Sequence, residues 1–173
     1  LAIIAWAVSW SRVGRVDAMV PAGSAILIAD FENRTGDHQL DHIRTLLENQ
    51  LRQSAYVNIT DPADLRETLR QMVRPPDQVL DLATAREVAW RRGIALIVNG
   101  ELSQIGSTYL LNLSLVRVGS RPTEPTGSWS QTFRADGKEK ILKSVDLGSD
   151  WVRKMVGEAA RDMEQHDLPS SET

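Results

Sequence analysis

Apolar residues come first as a short unbroken run and then at helical intervals. Ile26, Leu27, Ile28 and Ala29 lead to Phe31, the length and character of a buried strand. Asn33-Arg-Thr-Gly-Asp37 reads as a turn. Asp37 is placed to cap a helix over about 38–54, where Leu40, Ile43, Leu47 and Leu51 share one face. Tyr56-Val-Asn-Ile-Thr60 is a second short strand. Asp61-Pro62 is a helix start, an N-cap aspartate followed by proline at the first helical position. Leu65, Leu69 and Met72 form the buried stripe of that helix, and Arg74-Pro75-Pro76 stops it. A third helix is predicted over 82–92, with Leu82, Ala85 and Ala89 inward and Gly93 at the left-handed C-cap position.

After Gly93 the period changes to two. Ala95 to Val98 is an apolar run that continues to Leu102. Gly106-Ser107 supplies a turn, and Leu111, Leu113 and Leu115 then alternate with polar residues. The stretch 119–127 holds Pro122 and Pro125 and reads as an exposed loop. Residues 128–134 form a further strand with Trp129, Gln131 and Phe133 on one side. A long helix is predicted from about 138 to 163 on Ile141, Val145, Val152, Met155 and Ala159, with a kink at Gly148-Ser149. The order is β-α-β-α-α-β-β-β-α. The predicted fold class is α/β (α+β): a mixed sheet of about five strands, a crossover pairing early and an antiparallel meander late, with helices packed on it.

Residues 1–10 are apolar apart from Ser9. Ten residues are too few to cross a hydrocarbon core, which takes about 20 in a helix. Trp6 and Trp10 suit the interfacial end of a membrane helix; a soluble helix packed on the domain or a cleaved signal segment are the other readings. The chain starts at Leu1 with no initiator Met, and is read as a piece of a longer membrane-tethered protein. The expected organisation is a membrane-helix end plus linker over 1–24, one folded domain over 25–164, and a tail or linker over 165–173.

Composition narrows the chemistry. With 42% hydrophobic residues among 173, the chain can bury a core. Lys plus Arg number 20 against 23 Asp plus Glu, net −3. That lacks the basic excess of a dedicated nucleic-acid binder, so no nucleic-acid partner is expected. Having no cysteine removes disulfides, thiolate metal sites and cysteine nucleophiles.

The sharpest candidate site is the first turn. Asp30, Glu32 and Asp37 gather carboxylates near the C-terminal end of the first strand, where α/β sheets often bind ligands. The two-residue period puts Asp30 and Glu32 on one face, as a magnesium or calcium site would need. The plainer reading makes Asp37 a helix cap and leaves the others solvated, with no metal. A phosphate would meet three carboxylates against Arg34 alone, and the glycine-rich phosphate loops are missing. Asp30, Glu32, Arg34 and Asp37 are therefore candidates for ligand binding and not for catalysis. His38 and His42 have the spacing of two zinc ligands on a helix, but the intervening Gln39-Leu-Asp41 lacks the glutamate of the metalloprotease motif, and His166 lies far along the chain. Ser103, Ser107 and Ser114 lack a nucleophile elbow. Arg91 and Arg92 beside Trp90 could meet an anion or simply face water at a helix end. Trp129 and Phe133 could stack a base or pack the core. No cofactor and no catalytic residue are expected.

Ile26-Leu-Ile-Ala-Asp-Phe-Glu-Asn-Arg-Thr-Gly-Asp37 resembles the start of a domain found in large bacterial membrane proteins. The likeness continues through Leu46-Leu-Glu-Asn-Gln-Leu-Arg-Gln-Ser54, Leu65-Arg-Glu-Thr-Leu-Arg-Gln-Met72, Arg74-Pro-Pro-Asp77, Ala85-Arg-Glu-Val88, Asn99-Gly-Glu-Leu-Ser-Gln-Ile-Gly-Ser107 and Gly137-Lys-Glu-Lys-Ile-Leu142. The domain type is similar to the TolB N-terminal and CsgG/FlgO-like α/β domains. The resemblance implies a position after one membrane helix and before tetratricopeptide repeats, often in proteins with a serine/threonine kinase half. It implies no catalytic residues and a sensory or protein-interaction role. The expected partners are another protein or adjacent domains of the same chain, plus the membrane through the N-terminal helix. The alternative is a small-ligand module using the cleft at the end of the first strand. Arg12 and Arg15 after the apolar run favour a cytoplasmic flank, whereas the resemblance implies an inner-membrane anchor with an extracytoplasmic, periplasmic domain; the latter is the expectation. The chain departs from the family over 117–126, where relatives have a short hairpin.

Overall fold

The computed structural model describes residues 23–123 and 125–157. The apolar segment 1–10, most of its linker, the far end of the predicted last helix, the tail and His166 lie outside the described residues. Ten elements follow in order: β1 (Ala25–Ile28), β2 (Glu32–Asn33), α1 (Ile43–Leu51), β3 (Asn58–Ile59), α2 (Pro62–Gln71), α3 (Leu82–Arg92), β4 (Leu96–Ile105), β5 (Thr108–Val118), β6 (Pro125–Asp136) and α4 (Ile141–Met155). The fold is the mixed sheet with packed helices that the apolar periodicity predicts. β1 runs parallel to β3 and to β4, and β4, β5 and β6 form an antiparallel meander, in the order β3-β1-β4-β5-β6.

The sheet has six strands rather than about five. The extra one, β2, continues β1 along the same neighbour after a one-residue bulge. Ile28 pairs with Val98 and Glu32 with Glu101, so four steps on one strand match three on the other. Phe31 sits in the bulge and lies over Gly100, where an added Cβ would stand 2.6 Å from the ring. A glycine in a strand marks such a close approach.

Helices cover the two faces unequally. On one face α1 and α4 close over Ile26, Val98, Leu102, Leu111, Leu113 and Leu115, all nearly or wholly buried. On the other, α2 and α3 close over Leu27, Ala29, Ile97 and Val116. Beyond Val116 no helix among the described residues lies on that second face, and the strands turn polar: Asn112, Ser128, Ser130 and Thr132 are exposed there. This is the alternation expected of antiparallel strands with one solvated face.

Three local expectations change. The first predicted helix breaks into a 3-10 turn (His38–Leu40) and α1, because Asp37 accepts from Gln39 N and caps the turn rather than the helix. The loop over 119–127 is shorter than expected, since β6 already begins at Pro125, beside a register shift at Arg117/Val118. Proline is tolerated as the first residue of an edge strand. α4 runs through Gly148-Ser149 as one helix. Gly148 serves packing instead: a Cβ there would lie 2.6 Å from Leu113 Cδ1.

Asp61 and Gly93 cap α2 and α3 as expected, and Asp81 supplies an N-cap on α3 that the sequence reading does not single out. Asp61 accepts from Ala63 N, Asp81 accepts from Thr84 N at 2.8 Å, and Gly93 takes the left-handed conformation with φ 65°. The Thr84 N–H bond holds the Asp81 carboxyl below the usual aspartate range, aided by the Thr84 hydroxyl. A depressed folded-state pKa contributes stability that is present above the unfolded value and lost as pH falls through the folded one. Asp81→Ala is therefore expected to cost about 0.5–2 kcal/mol at neutral pH. In urea melts at acid pH, below the aspartate range, the difference from wild type should vanish.

Candidate functional site

The four candidate residues of the first turn do not converge. The bulge at residues 29–31 breaks the two-residue alternation, so Asp30 and Glu32 lose the shared face that their spacing predicts. Glu32 stays on the surface of β2 and pairs with Arg34 at 2.9 Å; Arg34 also reaches Glu101 at 3.5 Å. The Arg34 hydrogen bond lowers the Glu32 pKa. Asp37 turns the other way and binds Lys138 just before α4, and this contact and the Gln39 N–H lower its pKa. Asp37 is thus a clasp between the 3-10 turn and α4.

Of the four, Asp30 lines a crevice. It lies two residues beyond the end of β1 and grips the loop that joins α2 to α3. Asp30 N donates to Leu80 O at 2.8 Å, and Leu80 N donates to Asp30 Oδ2 at 2.6 Å. Arg44, in the first turn of α1, stands beside it with Nε 3.5 Å from Asp30 Oδ1. Arg44 also donates to the carbonyls of Ala29 and Ile28 and pairs with Glu48 at 2.8 Å. It therefore supplies donors to two carbonyl oxygens at and just beyond the end of β1. Periodicity gives no warning of this role, because Arg44 lies beside and not on the apolar stripe of α1.

The crevice over Asp30 has a volume of about 280 Å³. Leu65, Leu69 and Pro76 make its apolar walls, and Asp30, Arg44 and Arg66 its polar ones. It opens at the C-terminal ends of the parallel strands β1 and β3, the position where α/β sheets commonly bind ligands. Arg66 makes no ion pair among the described residues.

The loop closing this crevice carries two strongly exposed apolar side chains, Val73 at 93% and Val79 at 68%. Val73 has φ 58°. Arg74 N donates to Leu69 O at 2.9 Å, so Val73 holds the left-handed position that ends α2, a place usually given to glycine. A β-branched residue is strained there. Arg74 then ties the loop to α3 through Glu87 at 3.1 Å. Sequence reading stops at the Pro75-Pro76 signal and misses both valines, because Val73 beside Met72 and Val79 beside Leu80 fall outside any helical or strand period.

The remaining candidates resolve into ordinary contacts. His38 is exposed and pairs with Asp41 at 3.2 Å. Among the described residues no three of His, Cys, Asp and Glu are grouped to hold a metal ion. Arg91 pairs with Glu87 and Arg92 with Asp64, and Trp90 Nε1 donates to Ser120 O at 2.8 Å. Trp129 and Phe133 pack against the core under α4, and Phe133 meets Trp151 edge to face at 6.3 Å. No described helix is long and apolar enough to cross a membrane.

Relief of the strain at Val73 is measurable. Val73→Gly removes a left-handed penalty of about 1–2 kcal/mol and adds back some chain entropy. The expected net result is a stability gain of up to about 1 kcal/mol in denaturant melts, with Val73→Ala gaining less.

No protein-family profile matches the chain, and no curated protein matches it in sequence. Solved structures do. The LpoB C-terminal domain from Escherichia coli is 22% identical with a TM-score of 0.54, and that from Salmonella enterica 20% identical with 0.52. Each covers 65% of this chain and 84% of its own. TolB from Acinetobacter baumannii aligns with 80% of this chain and 31% of its own, at 14% identity and a TM-score of 0.47. At such identities the likeness shows the fold: a mixed sheet with packed helices, as in the LpoB C-terminal domains.

Proposed function

We propose that this chain is a protein-interaction domain of a bacterial cell-envelope protein, non-catalytic and docking its partner at the loop that closes the crevice over Asp30. The carrying observation is the pair of exposed valines, Val73 and Val79, on a loop fixed at both ends. Asp30 holds one end and the Arg74–Glu87 pair the other. Apolar groups displayed on a pre-ordered loop bind without a large ordering cost. The fold shared with LpoB C-terminal domains supports an envelope setting. In the fuller form of the proposal the domain is anchored at the inner membrane, lies on its extracytoplasmic side, and serves a signalling protein with repeats or a kinase elsewhere in its chain.

The test is site-specific photo-crosslinking in the bacterium that makes the protein. A photoreactive residue at Val79 should trap one envelope protein, and one at Asn112, on the helix-free face, should not. Val73→Asp in the same background should reduce the crosslink at least tenfold while the circular dichroism spectrum is kept. Equal yields at positions 79 and 112 would sink the proposal.

The crevice itself favours a second reading, a small-ligand site, because Arg66, which makes no ion pair among the described residues, lines a cavity with apolar walls. A ligand that binds the folded state raises the melting temperature by mass action. A screen of nucleotides, sugars and dicarboxylates should then give a shift above about 2 °C that Arg66→Ala abolishes. No shift with any of them would remove this reading and leave the docking proposal standing.

A further inference from the structure

β6 pairs with β5 and with no other strand among the described residues. Its backbone directions can be read from the ladder ends. Val118 N donates to Ala95 O, so even-numbered residues of β5 turn their backbone groups to β4 and odd-numbered ones to β6. Gly137 N donates to Ser107 O, so odd-numbered residues of β6 turn back to β5. The even-numbered residues Ser128, Ser130, Thr132 and Arg134 therefore aim N–H and C=O groups outward.

Natural edges are normally blunted by charge, proline or shortness. Residues 126–133 of β6, Thr-Gly-Ser-Trp-Ser-Gln-Thr-Phe, hold neither a charge nor a proline. The opposite edge, β3, is only two residues long. Pairing of β6 with the β3 edge of another copy would be short, so the sheet has no good head-to-tail extension. An edge of this kind closes on itself about a twofold axis.

A second feature lies alongside. Gln50 holds one flank of α4 to α1, through Asp146 at 2.5 Å and Arg153 at 2.6 Å. At 100° per residue, Leu147 and Trp151 fall on the other flank, above β6, and Trp151 touches Phe133 there. Leu147 is 48% exposed. The open edge thus continues into an apolar strip on α4.

We infer that β6 pairs antiparallel with β6 of a second copy of this chain, joining two sheets into one. A twofold axis at Ser130 sets Ser128 opposite Thr132, Trp129 opposite Gln131, Gly127 opposite Phe133 and Thr126 opposite Arg134. No like charges face each other. Glycine opposite an aromatic is a favourable cross-strand arrangement. The two α4 strips meet over the joined strands on one face, and the helix-free polar faces become a single surface on the other. This contact is separate from the crevice, so it stands or falls independently of the docking proposal.

Analytical ultracentrifugation of the full 173-residue chain tests it. The expected result is a concentration-dependent monomer–dimer equilibrium. Ser130→Lys puts two ammonium groups at the axis, on the solvated face where a monomer does not notice them, and should weaken the dimer at least tenfold. Ser130→Glu should do the same, and mixing the two variants should restore a heterodimer. Leu147→Glu should weaken it through the α4 strip. A wild-type chain that stays monomeric at every concentration overturns the inference. So does a dimer that both charge variants leave unchanged. Slow amide exchange at Ser128, Ser130 and Thr132 in a monomer would show the edge covered within one chain, and would also overturn it.

Discussion

Everything in this domain is built against the pairing of β1 with β4. Ile26, Leu27 and Ile28 lie beside Leu96, Ile97 and Val98 in parallel, and all six are at most 1% exposed. Strands apolar on both sides can exist only if both sides are covered. That requirement puts α1 and α4 on one face and α2 and α3 on the other. Parallel pairing also demands long crossovers, and these supply α1, α2 and α3. The crevice, the clasp at Asp37 and the polar outer face all lie at the margins of this covered centre.

The parts of the fold governed by local chemistry were open to sequence reading. Asp61-Pro62 and Gly93 cap their helices as their types and positions predict. The leucines at 111, 113 and 115 fix the face of β5. What escaped depends on long-range fit. At the bulge over 29–31 the Phe31 ring packs directly on Gly100, which is 69 residues distant in sequence and adjacent in space. That one inserted residue is also why the carboxylate cluster dissolves. Asp30 and Glu32 share a face in a regular strand, and this strand is irregular between them.

The same contrast separates the seen from the unseen parts of the candidate site. Asp30 stood out because it is an acid at a strand end. Arg44, Arg66 and the two exposed valines did not, since each is unremarked within its own helix or loop. They matter through what the fold brings beside them. Arg44 spends its guanidinium on carbonyls fifteen and sixteen residues earlier, and Val73 occupies a turn shaped by the packing of α2 against α3.

The central place of β1 has a mechanical side. The strand begins at Ala25, the first described strand residue of the chain, with parallel neighbours on both flanks. Tension drawn along β1 from the chain ahead of it would load the hydrogen bonds to β3 and β4 together, in shear, instead of peeling them one by one from an edge. A domain hung by that end would carry load through its best-buried strand, while β5 and β6, further across the sheet, stayed out of the line of force.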